Sequence, residues 1–494
     1  MAIEERSRVA RAAAEASGLD EARVGEMLPK KRIAVALEDE SENGIATFLA
    51  SVRMSLLMVD TVLIEATEEC WRGCLAVADA LSVTSSLQRV TGFQDVPFDA
   101  AIHVSLHTSS DPRVVVVNSN GWLSQIAAEA TQERSPAAPL EIERETDHPN
   151  PIGAAAAAAL GTGEAFMRLW GPRPRLSLGW NLFDYTQHEL NGGSVGPNLA
   201  PDIPIDACLI GAGAVGAGFT YVLASLPIHG ALVIVDSQQT GAENFGPHLF
   251  VPNGRYGLPK ADLAADYLRR VRGGDVKVSH FGEPFSLFRR RIDHEVRRPS
   301  VVVSGLDKKL PRHQVQRLWA PTHIDMATGG LQCQVMVRTN PGIGRCMVEE
   351  FTIGSERGEE EDWSDRTGLS IESLADPLAL ITEADVAQAP PSKRERLEAA
   401  RLQGGRRCNV IVLGEQGIMG SGPTFAASVP FNALLAGTLA AGELVKNANL
   451  DRDGVFIRYS FGNHAEFVDK TRSAHDCECQ RSHTDDHDVA GLPS

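Results

Sequence analysis

The chain has 494 residues, a formal net charge of −17, 43% hydrophobic residues and eight cysteines. This length predicts two to four domains with sizeable cores. The acidic balance argues against a nucleic-acid or anionic-membrane binder, and the sparse cysteines read as reduced thiols of a cytoplasmic protein rather than a disulfide scaffold.

The opening MAIEERSRVARAAAEASG predicts a helix and lacks the apolar core of a signal peptide. From Ile45 to Trp170 apolar strand-like runs alternate with helical stretches. LLMVDTVLI from Leu56, AAIHVSLH from Ala100 and RVVVVNSNGW from Arg113 are the clearest strands. That alternation indicates α/β architecture around a parallel sheet. IGAAAAAALG from Ile152 is too short to span a bilayer. GPRPRLSLGW from Gly171 reads as a proline-punctuated linker, and a second α/β unit starts near Ile205. Further on, GSERGEEEDWSDRTG from Gly354 is an acidic loop, and PPSKRERLEAARLQGGRR from Pro390 is a short charged helix with a glycine stop. PFNALLAGTLAAGELVKN from Pro430 is the last apolar helix, followed by a polar tail.

Two of these helices echo each other. Shifting PIGAAAAAALGTGEAFMR at Pro151 by 279 positions (430 − 151) lays Leu160 on Leu439, Gly163 on Gly442 and Glu164 on Glu443. FLAS at Phe48 likewise echoes VLAS at Val222, each ahead of an apolar run that ends in Asp60 or Asp236. Coincidence between alanine-rich helices is one reading, and internal duplication of an α/β unit is the other. In the first copy IAVALEDESENG stands where a glycine turn would stand, so that copy is expected to be a structural partner without a nucleotide site.

The second unit carries the chemistry. Gly211, Gly213 and Gly216 form G-x-G-x-x-G between the strand DACLI and the helix AGFTYVLASL. Such a turn lets the backbone approach a phosphate that sits on a helix N-terminus. Asp236 ends the next strand, where a carboxylate can accept from ribose hydroxyls. To this point the residues say only nucleotide. Lys260 at a helix start and Asp307 at a strand end, with Arg312 five residues on, separate the alternatives. Hydride transfer to a nicotinamide needs neither. Phosphoryl chemistry uses a lysine against polyphosphate and an aspartate for Mg2+.

The series glycine turn, Asp236, Asn244, GLPKA at Gly257–Ala261, then Asp307 with Arg312, resembles the ThiF-type superfamily, which includes ubiquitin-activating enzymes and adenylyltransferases of sulfur-carrier proteins. The resemblance covers Pro204 to Gly462. It implies ATP and Mg2+ as cofactors, with Asn244 beside the triphosphate and Asp307 holding the metal. Two departures stand out. The family's N-x-x-R-Q is N-F-G-P-H here, with Pro247 at the arginine position and His248 at the glutamine position, and Gln316 replaces a customary Asn. Either Arg255, or an arginine from another subunit or from the N-terminal domain, replaces the missing charge, or adenylation is slow.

Family members that pass a carrier protein onward use a cysteine that forms a thioester. The candidates are Cys333, Cys346, Cys408, Cys477 and Cys479. Cys408 is favoured because Arg406 and Arg407 precede it and would stabilise a thiolate; an ordinary half-buried cysteine is the competing reading, and Cys346 is the second candidate. Cys346, Cys477, Cys479 and a histidine could supply four ligands to structural Zn2+, although neither cysteine spacing is that of the family's zinc pairs; an exposed tail with two reduced thiols is the competing reading.

The expected layout is an inactive adenylation-like domain at 1–175, a linker at 176–203, an adenylation domain at 204–353 and 409–470, a catalytic-cysteine segment at 354–408 and a tail at 471–494. This resembles the activating enzymes of bacterial ubiquitin-like conjugation operons. It implies as partners the C-terminus of a ubiquitin-like protein and an E2-like conjugating enzyme, and it is compatible with a homodimer. An adenylyltransferase for a sulfur carrier and a nucleotide-binding scaffold without turnover stay open beside it.

Overall fold

The computed structural model describes residues 3–130, 142, 147–294, 299–307, 309–339, 345–350, 364, 367–374, 379–402, 407, 428–449 and 454–470. Two units emerge, one of Met1–Glu350 with Ala427–Ser494 and one of Phe351–Ala426. The smaller contains helices Glu383–Gln388 and Pro391–Leu402 around Leu369, Ile381, Ala389 and Leu397.

The larger unit holds two α/β halves. In the first, α1 (Ser7–Ser17) and α2 (Glu21–Met27) precede β1 (Arg32–Leu37), α3 (Glu42–Met58), β2 (Thr61–Glu65), α4 (Glu68–Ala80), β3 (Leu87–Arg89), β4 (Ala100–Val104), β5 (Val114–Asn120), β6 (Leu123–Ala128), α5 (Pro151–Arg168), β7 (Leu176–Asn181) and β8 (Thr186–His188). The second runs β9 (Ile203–Ile210), α6 (Ala214–Ser225), β10 (Ile228–Val235), α7 (Lys260–Arg272), β11 (Val276–Phe281), α8 (Phe285–His294), β12 (Val301–Ser304), α9 (Lys309–Gln316), β13 (Thr322–Gly329), β14 (Gln332–Thr339), α10 (Pro430–Asn449), β15 (Val455–Ser460) and β16 (Ala465–Asp469).

The sheet orders are β3-β2-β1-β4-β5-β6-β7-β8 and β11-β10-β9-β12-β13-β14-β15-β16. Strand for strand these are one topology, parallel through β5 or β13 and antiparallel beyond. The duplication reading therefore stands over the coincidence reading. The 279-residue shift also relates the interface between the halves to itself. Glu164 of α5 bonds His464 at 2.9 Å in the β15–β16 turn, and Glu443 of α10 bonds the Tyr185 hydroxyl in the β7–β8 turn. Tyr185 and His464 are both left-handed, at φ 67° and 52°. Trp180 stacks on Tyr459, its own counterpart, with ring centroids 5.0 Å apart. A residue that meets its own mate lies on a two-fold axis, so the halves pair as an isologous dimer within one chain.

Small residues also let α6 and α10 pack closely within the second half. A Cβ on Gly218 of α6 would sit 2.2 Å from the Ala433 carbonyl of α10, and one on Gly437 would sit 2.1 Å from Phe219 N. The alanine-rich α5 is buried on every face from Ile152 to Arg168, its two charges Glu164 and Arg168 paired with each other.

Two expectations change. Residues 176–203, read as a linker, contain β7 and β8, which complete the first sheet; the preceding prolines punctuate a turn into the strand. LLMVDTVLI is not one strand. α3 runs to Met58 and β2 starts at Thr61, so Asp60 precedes its strand, whereas Asp236 follows β10.

Candidate nucleotide site

β9 delivers its chain into the turn Gly211–Gly213 and then into α6. Gly211 adopts φ +91°, and any Cβ there would lie 2.8 Å from the Gly305 carbonyl. A Cβ on Gly216 would lie 2.2 Å from the Gly211 carbonyl. These two glycines let turn, helix and strand pack together. Gly213 differs, because a Cβ there meets nothing within 4 Å, and no side chain caps the start of α6. The open space therefore faces free N–H groups at a helix N-terminus, the arrangement that holds phosphate.

Asp236 closes β10 beside this turn. Its carboxylate accepts from Ala212 N and Gln238 N, each at 2.7 Å. Burial pushes its pKa up, against the opposing pull of Lys260. Lys260 opens α7 and is buried, with Nζ donating to Gln238 Oε1 at 2.7 Å. Burial and nearby Arg8 push its ammonium below the ordinary lysine value, while Asp236, Glu243 and Asp307 hold it up. Asp307 is exposed just past β12 and also acts on Arg8 and Asp236. Thus Asp236, Lys260 and Asp307 share one electrostatic neighbourhood beside the glycine turn. Arg312 lies behind them. It is buried, ion-paired to Asp325, and holds the Leu306 carbonyl next to Asp307. Asn244 is buried and its Oδ1 accepts from Gly241 N at 2.9 Å, so it braces its own turn.

Arg8 is the residue that sequence reasoning left unnamed. The first turn, Ile3–Arg6, anchors it: Arg6 donates to Leu56 O, Leu57 O and Val59 O at the end of α3 and pairs with Asp60. Tyr256 donates to Glu5 at 2.6 Å, and Val9 lies against Gly246. The N-terminal half thereby clasps the 236–259 connection and brings Arg8 to Glu243 and Asp307. Arg255 is exposed and is not among the main charges that act on Asp236 or Lys260. No local pattern marks Arg8, which is one of two arginines in an alanine-rich helix.

The ThiF family model matches residues 205–472, more than half of the chain. The chain belongs to the ThiF family. Solved structures of Escherichia coli MccB are similar, one with succinimide (11% identity, 56% of this chain and 65% of that chain, TM-score 0.36) and one with ATP (11%, 56% and 65%, TM-score 0.35). The chain spans just under two thirds of the length of MccB. No curated protein matches the sequence.

The first half lacks the ThiF site for physical reasons. Val104 pairs with Leu37 as Ser304 pairs with Ile210. Glu38, Asp39 and Glu40 therefore occupy the place of Gly211–Gly213, and His107 the place of Asp307. Glu38 pairs with His103 at 3.3 Å, and Ser41 caps α3 by accepting from Gly44 N at 3.0 Å. Carboxylates and a filled cap repel an anion where the second half invites one. The β2–α4 connection is only Ala66 and Thr67, against the 24 residues from 236 to 259.

Among the thiols, Cys333 is buried in β14, and burial pushes its pKa up. Cys346 is also buried and receives Gln316 Nε2 at 3.1 Å. Cys408, Cys477 and Cys479 lie outside the described residues. Arg407, expected to favour a thiolate, is already bonded to Asp385 at 3.1 Å and to the Ser373 carbonyl. Among the described residues no group of three His, Cys, Asp or Glu side chains is set to hold a metal, and no helix is long and apolar enough to cross a membrane.

Proposed function

We propose that the chain is an ATP-dependent adenylating enzyme that activates the C-terminal carboxylate of a carrier protein. The observation behind this reading is the convergence of Lys260, Asp236, Asp307 and Arg8 on an open glycine turn. The donors suit the ligand. Gly213 and the start of α6 would take phosphate, Asp236 the ribose, and Lys260 and Arg8 the negative charge that grows on departing pyrophosphate. Arg8 stands in for the family arginine that Pro247 replaces. Mg2+ commonly binds through one or two carboxylates plus phosphates, so Asp307, held by the Arg312–Leu306 contact, suffices on the protein side; the ion would neutralise phosphate charge. The carrier carboxylate oxygen attacks the α-phosphorus, the bond to the bridging oxygen breaks, and pyrophosphate leaves an acyl adenylate.

The narrower reading is activation of a ubiquitin-like protein. The Cys408 thiolate then displaces AMP to give a thioester, and an E2-like cysteine receives the acyl group. Its support is the layout of inactive half, active half and intervening cysteine segment. A sulfur-carrier adenylyltransferase needs no such relay, and the buried state of Cys333 and Cys346 is compatible with that alternative.

Exchange of labelled pyrophosphate into ATP, with a candidate carrier present, tests adenylation. Asp307→Ala is expected to reduce exchange at least about 100-fold, as loss of a preorganised charge stabiliser does. Undiminished exchange in the variant removes Asp307 from the site.

A further inference from the structure

The glycine turn is held at its centre by a residue that the nucleotide reading does not use. Ala212 N–H donates to Asp236 Oδ2 at 2.7 Å, and Ala212 C=O is 3.0 Å from His248 Nε2. His248 Nδ1 accepts from Phe250 N at 3.2 Å, so its proton must sit on Nε2, which donates to Ala212. Both peptide units flanking Ala212 are therefore fixed. In a planar trans peptide the C=O and the following N–H point opposite ways. Tying the Ala212 carbonyl to buried His248 turns the Gly213 N–H the other way. That N–H makes no hydrogen bond among the described residues, and the space at Gly213 is open.

We propose that His248 is a positioning residue that aims the Gly213 N–H at the polyphosphate of bound ATP. The inference rests on the nucleotide reading above and adds a residue to it. It also accounts for a departure in the motif. A glutamine at this position carries an amide N–H that can serve the same carbonyl, so histidine keeps the donor while changing the side chain. Burial, with Lys260 close by, pushes the imidazole pKa down to about 3. The ring therefore stays neutral at working pH, acting as a fixed donor and not as an acid or base.

The test is equilibrium binding of ATP and of adenosine to the full chain, for wild type, His248→Gln, His248→Phe and, should the Phe variant not fold, His248→Leu. Melting without nucleotide checks folding. Expected are ATP affinity weakened about 10- to 100-fold in the apolar variants, the scale of one charge-assisted hydrogen bond, unchanged adenosine affinity, and His248→Gln within about 3-fold of wild type on the same scale. The pH profiles of wild type and His248→Gln should superpose between pH 5.5 and 8. Wild-type ATP affinity in His248→Phe, or equal weakening for ATP and adenosine, overturns the positioning role. Divergence of the two pH profiles near the ordinary histidine pKa overturns it as well. If the wild-type chain binds no ATP, the nucleotide reading itself fails, and this inference with it.

Discussion

Adding one methyl group at Gly213 or at Gly216 should separate binding from folding within a single motif. Gly213 has φ −69° and ψ −158°, which alanine can adopt, and its Cβ would meet no protein atom within 4 Å. Gly213→Ala should therefore cost no more than about 1 kcal/mol, the scale of an altered N-cap. The methyl would enter the space offered to phosphate, and ATP affinity should fall at least about 10-fold, the loss of one charge-assisted hydrogen bond. At Gly216 the same methyl lands 2.2 Å from the Gly211 carbonyl oxygen and 3.1 Å from its carbon. Neither backbone atom can retreat without opening the contact between α6 and β9. Overpacking of this kind costs about 1–3 kcal/mol, or roughly 2–10 °C in melting temperature. Thermal melting with and without ATP reads both effects. Gly213→Ala should melt like wild type without ATP and lose most of the upward shift that ATP gives wild type. If the two variants are equally destabilised, or if Gly213→Ala keeps full ATP stabilisation, the space at Gly213 is not the phosphate site.

Arg8→Ala should slow pyrophosphate exchange by about 10- to 100-fold at fixed ATP, the scale of a lost charged contact, while Arg255→Ala leaves it within about 2-fold on that scale; the reverse pattern would assign the role to Arg255. Glu164→Gln leaves Arg168 buried without its counter-ion and should cost about 3–5 kcal/mol in denaturant unfolding. Burial works to raise the Glu164 pKa, but His464, Arg168 and Arg173 outweigh it and the net shift is downward. A depressed carboxylate stabilises the fold above its unfolded value of about 4.3. That stability is lost as pH falls through the folded value, and an acid limb of melting temperature below pH 4 should shrink in Glu164→Gln. Cys408→Ala should keep pyrophosphate exchange and lose any carrier adduct that thiols cleave on a non-reducing gel; an adduct of normal yield would exclude the thioester role of Cys408.

The parts of the site that were legible in the sequence are those whose neighbours lie nearby in the chain. The glycine turn, Asp236 and Lys260 each sit where a strand or helix begins or ends, and the Rossmann crossover then brings the turn to Asp236 through Ala212 N. The 279-residue shift was visible in two helices and extends to Trp180 with Tyr459 and to Tyr185 with His464. The remainder depends on contacts remote in sequence. Arg8 reaches Asp307 across about three hundred residues, and nothing around Arg8 predicts that. His248 showed only as a departure from a motif, because its work is a bond to the Ala212 carbonyl. The boundary inside LLMVDTVLI was hidden for another reason: a buried helix end and a buried strand share one apolar run, and periodicity cannot divide it.

Duplication explains why one half could lose its site without becoming dispensable. In an isologous pair each half offers its surface to the other, and here the first half still does so. Glu5, Val9 and Arg53, which donates to Leu249 O at 2.7 Å, all fasten the 236–259 connection of the second half. That connection carries Asn244 and His248, and it has no counterpart longer than two residues in the first half. The first half therefore has no such loop for the second half to fasten. Without a loop that carries counterparts of Asn244 and His248, and with Glu38, Asp39 and Glu40 at the place of the glycine turn, the first half offers no comparable cradle for phosphate. The asymmetry of the site thus goes with the asymmetry of one connection, while Glu164, Glu443, Trp180 and Tyr459 form a symmetric core that both halves share.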